Sequence, residues 1–249
     1  MNVNHQNLDA LTPAYREQFK FSDENLVMLS WYARRILRTM SAGPARKVLS
    51  LGIGYQVLPR AIMEGLGSGL ARYTIVEGSR EILEAFRAET PLPPYTELVH
   101  SLFEEFHPAE KFDAIEMGFV LEHVNDPEAM VLRYSRFLAP GGTLFIAVPN
   151  AKSLHRRIGH EAGVLDNLYR LSPEDLQLGH QRYFDCVSLC KLVLDAGLKI
   201  VKVEGILLKP LTTGQLKSLN LPLAVVEGLL KVGADYPDIS NAIFVEATQ

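Results

Sequence analysis

A pair of glycines, an acid and a histidine are the residues of this chain best suited to binding a ligand and reacting with it. Gly52 and Gly54 follow a short β-rich run, and without a Cβ they let a ligand lie directly against the backbone. Glu77 ends the next strand-like run about twenty residues later, where an acid can accept hydrogen bonds from both hydroxyls of a ribose. His123, with an ordinary pKa of about 6.5, suits proton removal near neutral pH. These residues predict a site for a ribose-containing ligand beside an acid–base group.

Residues 112–150 carry the most specific pattern, with the sequence FDAIEMGFVLEHVNDPEAMVLRYSRFLAPGGTLFIAVPN. It predicts a buried strand over 114–117, then the LEHV stretch, a helix that stops at Pro140, and a second apolar strand. This order resembles class I S-adenosylmethionine-dependent methyltransferases that act on small molecules, whose pattern here is FD-x-I, LEHV-x-DP and L-x-PGG-x-L. The resemblance spans about residues 47–203 and implies S-adenosylmethionine as the methyl donor.

The resemblance implies a donor site at the ends of the first four strands. Gly52 and Gly54 are retained, but Ser50 stands where the family has an acid and Gln56 where it has a third glycine. Ser101 replaces the acid that usually faces the adenine amino group. A nicotinamide-binding pattern would instead need a glycine at position 57. The residues assigned to the donor are Gly52, Gly54, Tyr55, Gln56, Glu77, Gly78, Ser101, Leu102, Phe103, Met117 and Gly118.

Methyl transfer from a sulfonium is an in-line displacement, so the protein must place a nucleophile near the methyl group and exclude water. His123 is the predicted base, with packing in the pocket wall as the alternative, and Tyr15 resembles a tyrosine that closes over the donor in several relatives. If Arg156 or Arg157 pointed into the pocket, the acceptor would bear a carboxylate or phosphate. The residues assigned to the acceptor are His155, Arg156, Arg157, His180 and Tyr183.

The order of apolar runs predicts the elements that position these residues. Strand-like runs alternate with helices, which indicates a mostly parallel sheet covered on both faces. With the resemblance, this implies an α/β fold with a doubly wound, mostly parallel seven-stranded Rossmann-like sheet and helical lid insertions. The predicted division is an N-terminal helical cap over 1–45 and a methyltransferase core over 46–249, with lid insertions at about 151–183 and 209–238.

Composition narrows the class of partner. The chain of 249 residues is 47% apolar and 22% charged, an ordinary globular balance, and its formal charge of −4 argues against a nucleic-acid partner. No apolar run reaches the roughly 18 residues of a membrane span, and the start does not look like a secretory signal, so we expect a cytoplasmic protein with no membrane partner. The two cysteines, Cys186 and Cys190, are too few for a structural zinc site, and no metal is predicted.

The expected function is methyl transfer from S-adenosylmethionine to an oxygen or nitrogen of a small-molecule acceptor, such as a biosynthetic intermediate with a carboxylate or phosphate. Methylation of a protein or carrier-bound group is one alternative. Another is a methyltransferase-like binding subunit without catalysis, for which Ser50, Gln56 and Ser101 are the evidence. A homodimer is left open.

Overall fold

The computed structural model describes residues 8–15, 22–41 and 46–249, and its centre is a sheet of seven strands. β1 to β5 are parallel to one another, whereas β7 is antiparallel to both β5 and β6. The predicted mostly parallel, seven-stranded Rossmann-like sheet is therefore confirmed. The strands, in the spatial order β3-β2-β1-β4-β5-β7-β6, are β1 (Arg46–Leu51), β2 (Leu70–Glu77), β3 (Thr96–His100), β4 (Phe112–Gly118), β5 (Leu138–Pro149), β6 (Lys199–Ile206) and β7 (Ala242–Thr248).

Helices cover both faces of this sheet, and several of them begin where the sequence offers a capping side chain. The Ser79 hydroxyl accepts a hydrogen bond from the Ile82 amide, and Asp126 accepts one from the Ala129 amide beside Pro127. No helix within the described ranges is long and apolar enough to cross a membrane. The helices are α1 (Ser22–Met40), α2 (Val57–Leu66), α3 (Arg80–Glu89), α4 (Pro127–Ser135), α5 (Leu154–Glu161), α6 (Pro173–Gln177), α7 (Cys186–Asp195), α8 (Thr213–Ser218) and α9 (Leu223–Ala234).

The core lies in two apolar layers, one on each face of the sheet, because successive strand residues point to opposite faces. Val48 and Leu49 illustrate this alternation, since each belongs to a different one of the two buried clusters. Helix α1 contributes Trp31, Tyr32 and Ile36 to the first cluster, so it packs within the α/β layers. The division into a cap over 1–45 and a core over 46–249 stays a prediction.

The Pro140-Gly141-Gly142 stretch differs from the expectation that it ends a helix. Helix α4 already ends at Ser135, and the three residues lie inside strand β5. Gly141 has a φ of +73°, and a Cβ on Gly142 would come within 2.9 Å of the Phe112 carbonyl oxygen. The glycines therefore let β5 bend and pass close to the start of β4.

The two predicted insertions occupy different places. Residues 151–183 contain α5 and α6, and their last part reaches the carboxyl edge of the sheet. Residues 209–238, all described, contain α8 and α9, and α9 packs on β6. No residue of 209–238 lines the cavity at the sheet edge, so the second insertion does not form part of its wall.

Candidate active site

A cavity lies at the carboxyl ends of β1, β2 and β4, where the strand order reverses direction between β1 and β4. The turn after β1 forms one wall, with a φ of +86° at Gly52 and +50° at Gly54. A Cβ at these positions would lie 3.8 Å from the rings of Phe103 and Tyr15, both of which line the cavity. Side chains at Gly52 or Gly54 would therefore occupy space that a ligand needs, as the sequence predicts.

Glu77 lies at the end of β2, and its carboxylate is fixed by two backbone amides. Its Oε2 accepts from the Ile53 amide at 2.9 Å, and its Oε1 accepts from the Ser79 amide at 2.8 Å. Burial raises the pKa of Glu77, and the amide hydrogen bonds partly offset that rise. The carboxylate lines the cavity directly beside the glycine turn, which suits the predicted contact with a ribose.

Only some of the residues predicted to contact the adenine of the donor line the cavity. Leu102, Phe103 and Gly78 line the cavity. Ser101 does not, because its hydroxyl donates to the Leu102 carbonyl oxygen at 2.9 Å. Gln56 also lies outside the lining, since its side-chain amide donates to the Glu89 carboxylate at 3.0 Å. The structure therefore places the side chains of Ser101 and Gln56 outside the cavity lining, and their contacts with the donor stay predictions.

The end of β4 carries an acid that the sequence reasoning missed. Glu116 lines the cavity floor and accepts a hydrogen bond from the Gly118 amide at 2.9 Å. Gly118 lines the cavity too, whereas the Met117 side chain points into the opposite apolar layer and is fully buried there. The Met117 side chain is thus part of the core, because adjacent residues of a strand face opposite sides, and its contact with the donor stays a prediction.

The LEHV stretch forms a turn before helix α4 and places Glu122 and His123 at the cavity wall. The His123 ring meets the His180 ring edge to face, with centroids 4.7 Å apart. Desolvation and the neighbouring His180 lower the pKa of His123 to about 3. This makes His123 a weak proton acceptor at neutral pH, which weakens its prediction as the base.

Glu122 is the stronger candidate for proton transfer. The residue is fully buried, and neither carboxylate oxygen has a hydrogen-bond partner within the described part of the chain. Burial raises the pKa of Glu122 to about 7, although the charges of His180 and Arg182 oppose the rise. One ligand atom from each of Glu122, His123 and His180 falls within 4.8 Å of the others, close enough to share a metal ion. The expectation of no metal stays a prediction.

The last part of the first insertion holds the LEHV turn in place. The Gln181 amide donates to the Glu122 carbonyl oxygen at 2.8 Å, and the Arg182 guanidinium donates to the carbonyl oxygens of Leu121, Val124 and Asn125. His180 and Gln181 themselves line the cavity. Of the predicted acceptor residues, His180 is therefore the one that the structure places at the site.

The other predicted acceptor residues are placed away from the cavity. The Arg156 guanidinium donates to the Leu168 and Arg170 carbonyl oxygens and stacks 4.3 Å from the centre of the Tyr183 ring. Arg157 donates to the carbonyl oxygens of Lys152 and Asp238 at the surface. Both arginines thus donate to backbone carbonyl oxygens that the irregular insertions leave without helix or sheet partners, and the Tyr183 hydroxyl donates to the Asp175 carboxylate.

His155 also lies outside the cavity lining. Its ring contacts the Ser153 hydroxyl at 3.2 Å, and burial together with the charges of Lys209 and Arg156 lowers its pKa to about 2. The structure thus places His155 as a half-buried residue of the insertion outside the cavity lining, and its acceptor contact stays a prediction.

A short N-terminal segment covers the cavity from the other side. Leu8, Leu11 and Tyr15 all line it, and the Tyr15 ring lies 5.6 Å from the Tyr55 ring, centre to centre. Burial and the carboxylates of Glu77 and Glu122 raise the pKa of Tyr15. The position agrees with the predicted closing residue, although its part in catalysis stays a proposal.

Residues 28–203 match a family described as a methyltransferase domain, which covers more than half of the chain. The chain belongs to this family and is a class I S-adenosylmethionine-dependent methyltransferase. The alternative of a binding subunit without catalysis is therefore not retained.

The chain is also similar to individual proteins that are named as methyltransferases. The chain is similar to the ubiquinone biosynthesis O-methyltransferase of Thiobacillus denitrificans, with 28% identity over 170 residues that cover 67% of this chain and 70% of that protein. A solved S-adenosylmethionine-dependent methyltransferase from Mesorhizobium loti has a TM-score of 0.61 and 17% identity, over 88% of this chain and 98% of that one. A glycopeptide N-methyltransferase in complex with S-adenosyl-L-methionine has a TM-score of 0.55 and 17% identity, over 88% and 93%. At these identities the solved structures show the fold alone.

The cofactor is S-adenosylmethionine, and the cavity fits it. The turn at Gly52 and Gly54 leaves room for a ligand against the backbone, and the Glu77 carboxylate lies beside it. The Oε1 atom of Glu116 is a buried acceptor without a hydrogen-bond partner among the described residues. Such a buried acceptor is costly unless a bound group satisfies it.

Proposed function

We propose that this enzyme methylates a hydroxyl oxygen of a neutral, largely apolar small molecule. The observation that carries the proposal is the Glu122 carboxylate, which is buried, lacks hydrogen-bond partners among the described residues and shares one cavity with the donor-binding turn. A carboxylate that titrates near neutral pH can remove the proton of an acceptor hydroxyl as its oxygen attacks. The name of the Thiobacillus denitrificans relative, an O-methyltransferase, supports oxygen as the methylated atom.

The proposed step balances in protons and electrons. When bound, S-adenosylmethionine supplies a methyl group on a positively charged sulfur. A lone pair of the acceptor oxygen forms the new carbon–oxygen bond, and the electrons of the broken carbon–sulfur bond stay on sulfur. The hydroxyl proton passes to Glu122, and the apolar lining from Leu11, Leu29 and Leu178 helps to exclude water.

The charge of the cavity favours a neutral acceptor over an anionic one. Among the described residues, its lining contains four glutamates (Glu77, Glu104, Glu116 and Glu122) and no lysine or arginine. Arg156 and Arg157, which would have paired with a carboxylate or phosphate, are bound to backbone carbonyl oxygens elsewhere. Like charges in a low-dielectric cavity would repel an anionic acceptor.

A matched set of acceptors tests the proposal. We would offer labelled S-adenosylmethionine with three compounds: a catechol bearing a short isoprenoid chain, its ring-carboxylated counterpart, and the aniline in which an amine replaces the reacting hydroxyl. We expect the neutral catechol to receive the label on oxygen at the highest kcat/KM. Preference for the aniline would contradict oxygen as the acceptor atom, and preference for the carboxylated compound would contradict the neutral acceptor.

A further inference from the structure

Glu116 is a buried carboxylate, and one of its two oxygens has no hydrogen-bond partner among the described residues. Its Oε2 accepts from the Gly118 amide at 2.9 Å and from the Tyr32 hydroxyl at 3.4 Å. Its Oε1 has no hydrogen-bond partner in the described ranges. The residue is 1% exposed, yet it belongs to the lining of the cavity. An acceptor in this position is costly to the free protein and available to a ligand.

No described cation compensates Glu116. None of the lysine, arginine or histidine side chains within the described ranges forms an ion pair with it. Burial raises its pKa to about 7, which is the response of a carboxylate that lacks a positive partner. A ligand cation in the cavity would stabilise the charged form of Glu116 and lower its pKa.

The position of Glu116 relates it to the missing acid on β1. Ser50 and Glu116 are direct partners in the register of the parallel strands β1 and β4. The Ser50 hydroxyl is hydrogen-bonded to the Tyr73 hydroxyl at 2.7 Å. The Ser50 hydroxyl also favours the charged form of Glu116 and so lowers its pKa. Ser50 gives β1 only a hydroxyl two residues before Gly52. Its partner Glu116 on β4 therefore supplies a carboxylate at the same level of the sheet.

The other carboxylates at the cavity are differently engaged. Both oxygens of Glu77 accept hydrogen bonds from backbone amides, those of Ile53 and Ser79. Glu122 lies near His180 and Arg182, whose positive charges favour its ionised form. Glu116 thus differs from Glu77, because it has an oxygen without a hydrogen-bond partner, and no cation in the described part of the chain forms an ion pair with it.

We propose that Glu116 recognises the α-ammonium group of the methionine moiety of S-adenosylmethionine, taking over on β4 the charge that β1 lacks at Ser50. This ammonium is a permanent cation of the cofactor at neutral pH, and its product S-adenosylhomocysteine retains it. The assignment concerns the donor, so it is independent of the acceptor proposed above.

Calorimetry with two ligands tests this assignment without any turnover. S-adenosylhomocysteine has a neutral sulfur, so its ammonium is its only fixed cation, and its deaminated analogue lacks that cation while keeping the ribose and adenine. In the parent protein we expect the deaminated analogue to bind roughly 10- to 100-fold more weakly, the scale of a charge-assisted hydrogen bond. In Glu116→Gln this difference should fall to about threefold or less. Equal affinity of the two ligands for the parent would overturn the proposal.

Glu77→Gln is the matched control, because it changes an acid of the same cavity that faces the ribose instead. It should weaken both ligands by similar factors and leave the difference between them unchanged. A difference that survives in Glu116→Gln, or that disappears in Glu77→Gln, would contradict the assignment to Glu116. Failure of both ligands to bind the parent would instead remove the donor from the cavity.

A second variant moves the charge back to β1 and covers the case in which Glu116→Gln does not fold. In the double variant Ser50→Asp with Glu116→Ser, the carboxylate changes strands but stays at the same level of the sheet. We expect it to restore at least half of the parent's ratio of affinities for the two ligands. The single variant Glu116→Ser should lose that ratio, and a ratio that persists in Glu116→Ser would overturn the proposal.

Discussion

At the scale of single residues, the proposed chemistry depends on Glu122 and Glu116, two buried carboxylates that each have an oxygen without a hydrogen-bond partner among the described residues. Glu122→Gln should lower turnover by roughly 100-fold or more while S-adenosylhomocysteine affinity stays nearly unchanged, because only the proton acceptor is lost. The pH–rate profile of the parent should rise through about pH 7, where Glu122 loses its proton, and then level off. That rising limb should be absent in the variant.

His123→Ala is the comparison for this prediction. His123, with its pKa near 3, stays neutral through the same range, so its removal should leave the rising limb in place. A limb that persists in Glu122→Gln would exclude Glu122 as the base. Turnover that is lost on chelation and restored by Mg²⁺ or Zn²⁺ would show that Glu122, His123 and His180 act through a metal ion instead.

Glu116 makes a separate prediction about stability. Its folded pKa of about 7 is above the ordinary 4.5, so ionisation opposes folding, and the stability of the free protein falls as pH rises between these values. Glu116→Gln should therefore raise the free energy of unfolding by roughly 1–3 kcal/mol at pH 8 and change it little at pH 4.5. Urea unfolding at the two pH values measures this, and the exposed Glu64→Gln provides the control. A Glu116→Gln variant less stable than the parent at pH 8 would argue against an uncompensated charge.

At the scale of elements, the turn between β1 and α2 is the part most sensitive to added volume. Gly54→Val should abolish detectable donor binding, because a side chain there enters the cavity beside Tyr15. Gly67→Val is a matched control: its φ of +46° imposes similar backbone strain, but a Cβ there meets nothing within 4 Å. Both variants should lose about 1–3 kcal/mol of stability, and only Gly54→Val should fail to bind S-adenosylhomocysteine in calorimetry. Normal binding by a folded Gly54→Val would contradict the proposed path of the donor.

At the scale of the whole molecule, a buried ion pair joins α1 to the second insertion. The Lys209 ammonium lies 2.7 Å from the Glu24 carboxylate, and the Asn241 side-chain amide donates to the same acid at 2.9 Å. Lys209→Ala should cost roughly 3 kcal/mol or more, because it leaves Glu24 without its cation in a mostly buried place. Lys202→Ala, which removes a half-exposed lysine near Glu204, should cost at most about 1 kcal/mol in the same urea titration. Equal losses would mean that the Lys209 pair does not bind α1 to the rest of the fold.

The amino-acid sequence was sufficient to predict the order of the strands and the positions of Gly52, Gly54 and Glu77 at the ends of β1 and β2. The short apolar runs of the sequence predict the strands around residues 47–51, 73–76 and 114–117, because buried parallel strands are apolar and lie between turn residues. The glycines at 52 and 54 and the acid at 77 follow directly from strand ends, and parallel strands bring their carboxyl ends to one edge. Local information is sufficient for these features.

Which polar groups meet in the cavity depends on the folded structure. Ser50 and Glu116 are partners across two strands, and that register depends on how the whole sheet packs. Arg156 is another example. Its guanidinium donates to the Leu168 and Arg170 carbonyl oxygens, which come within reach only when the insertion has folded. Likewise, the burial that raises the pKa of Glu122 and lowers that of His123 comes from residues far away in the sequence. Side-chain chemistry is read from sequence, but its solvation and its partners are properties of the folded chain.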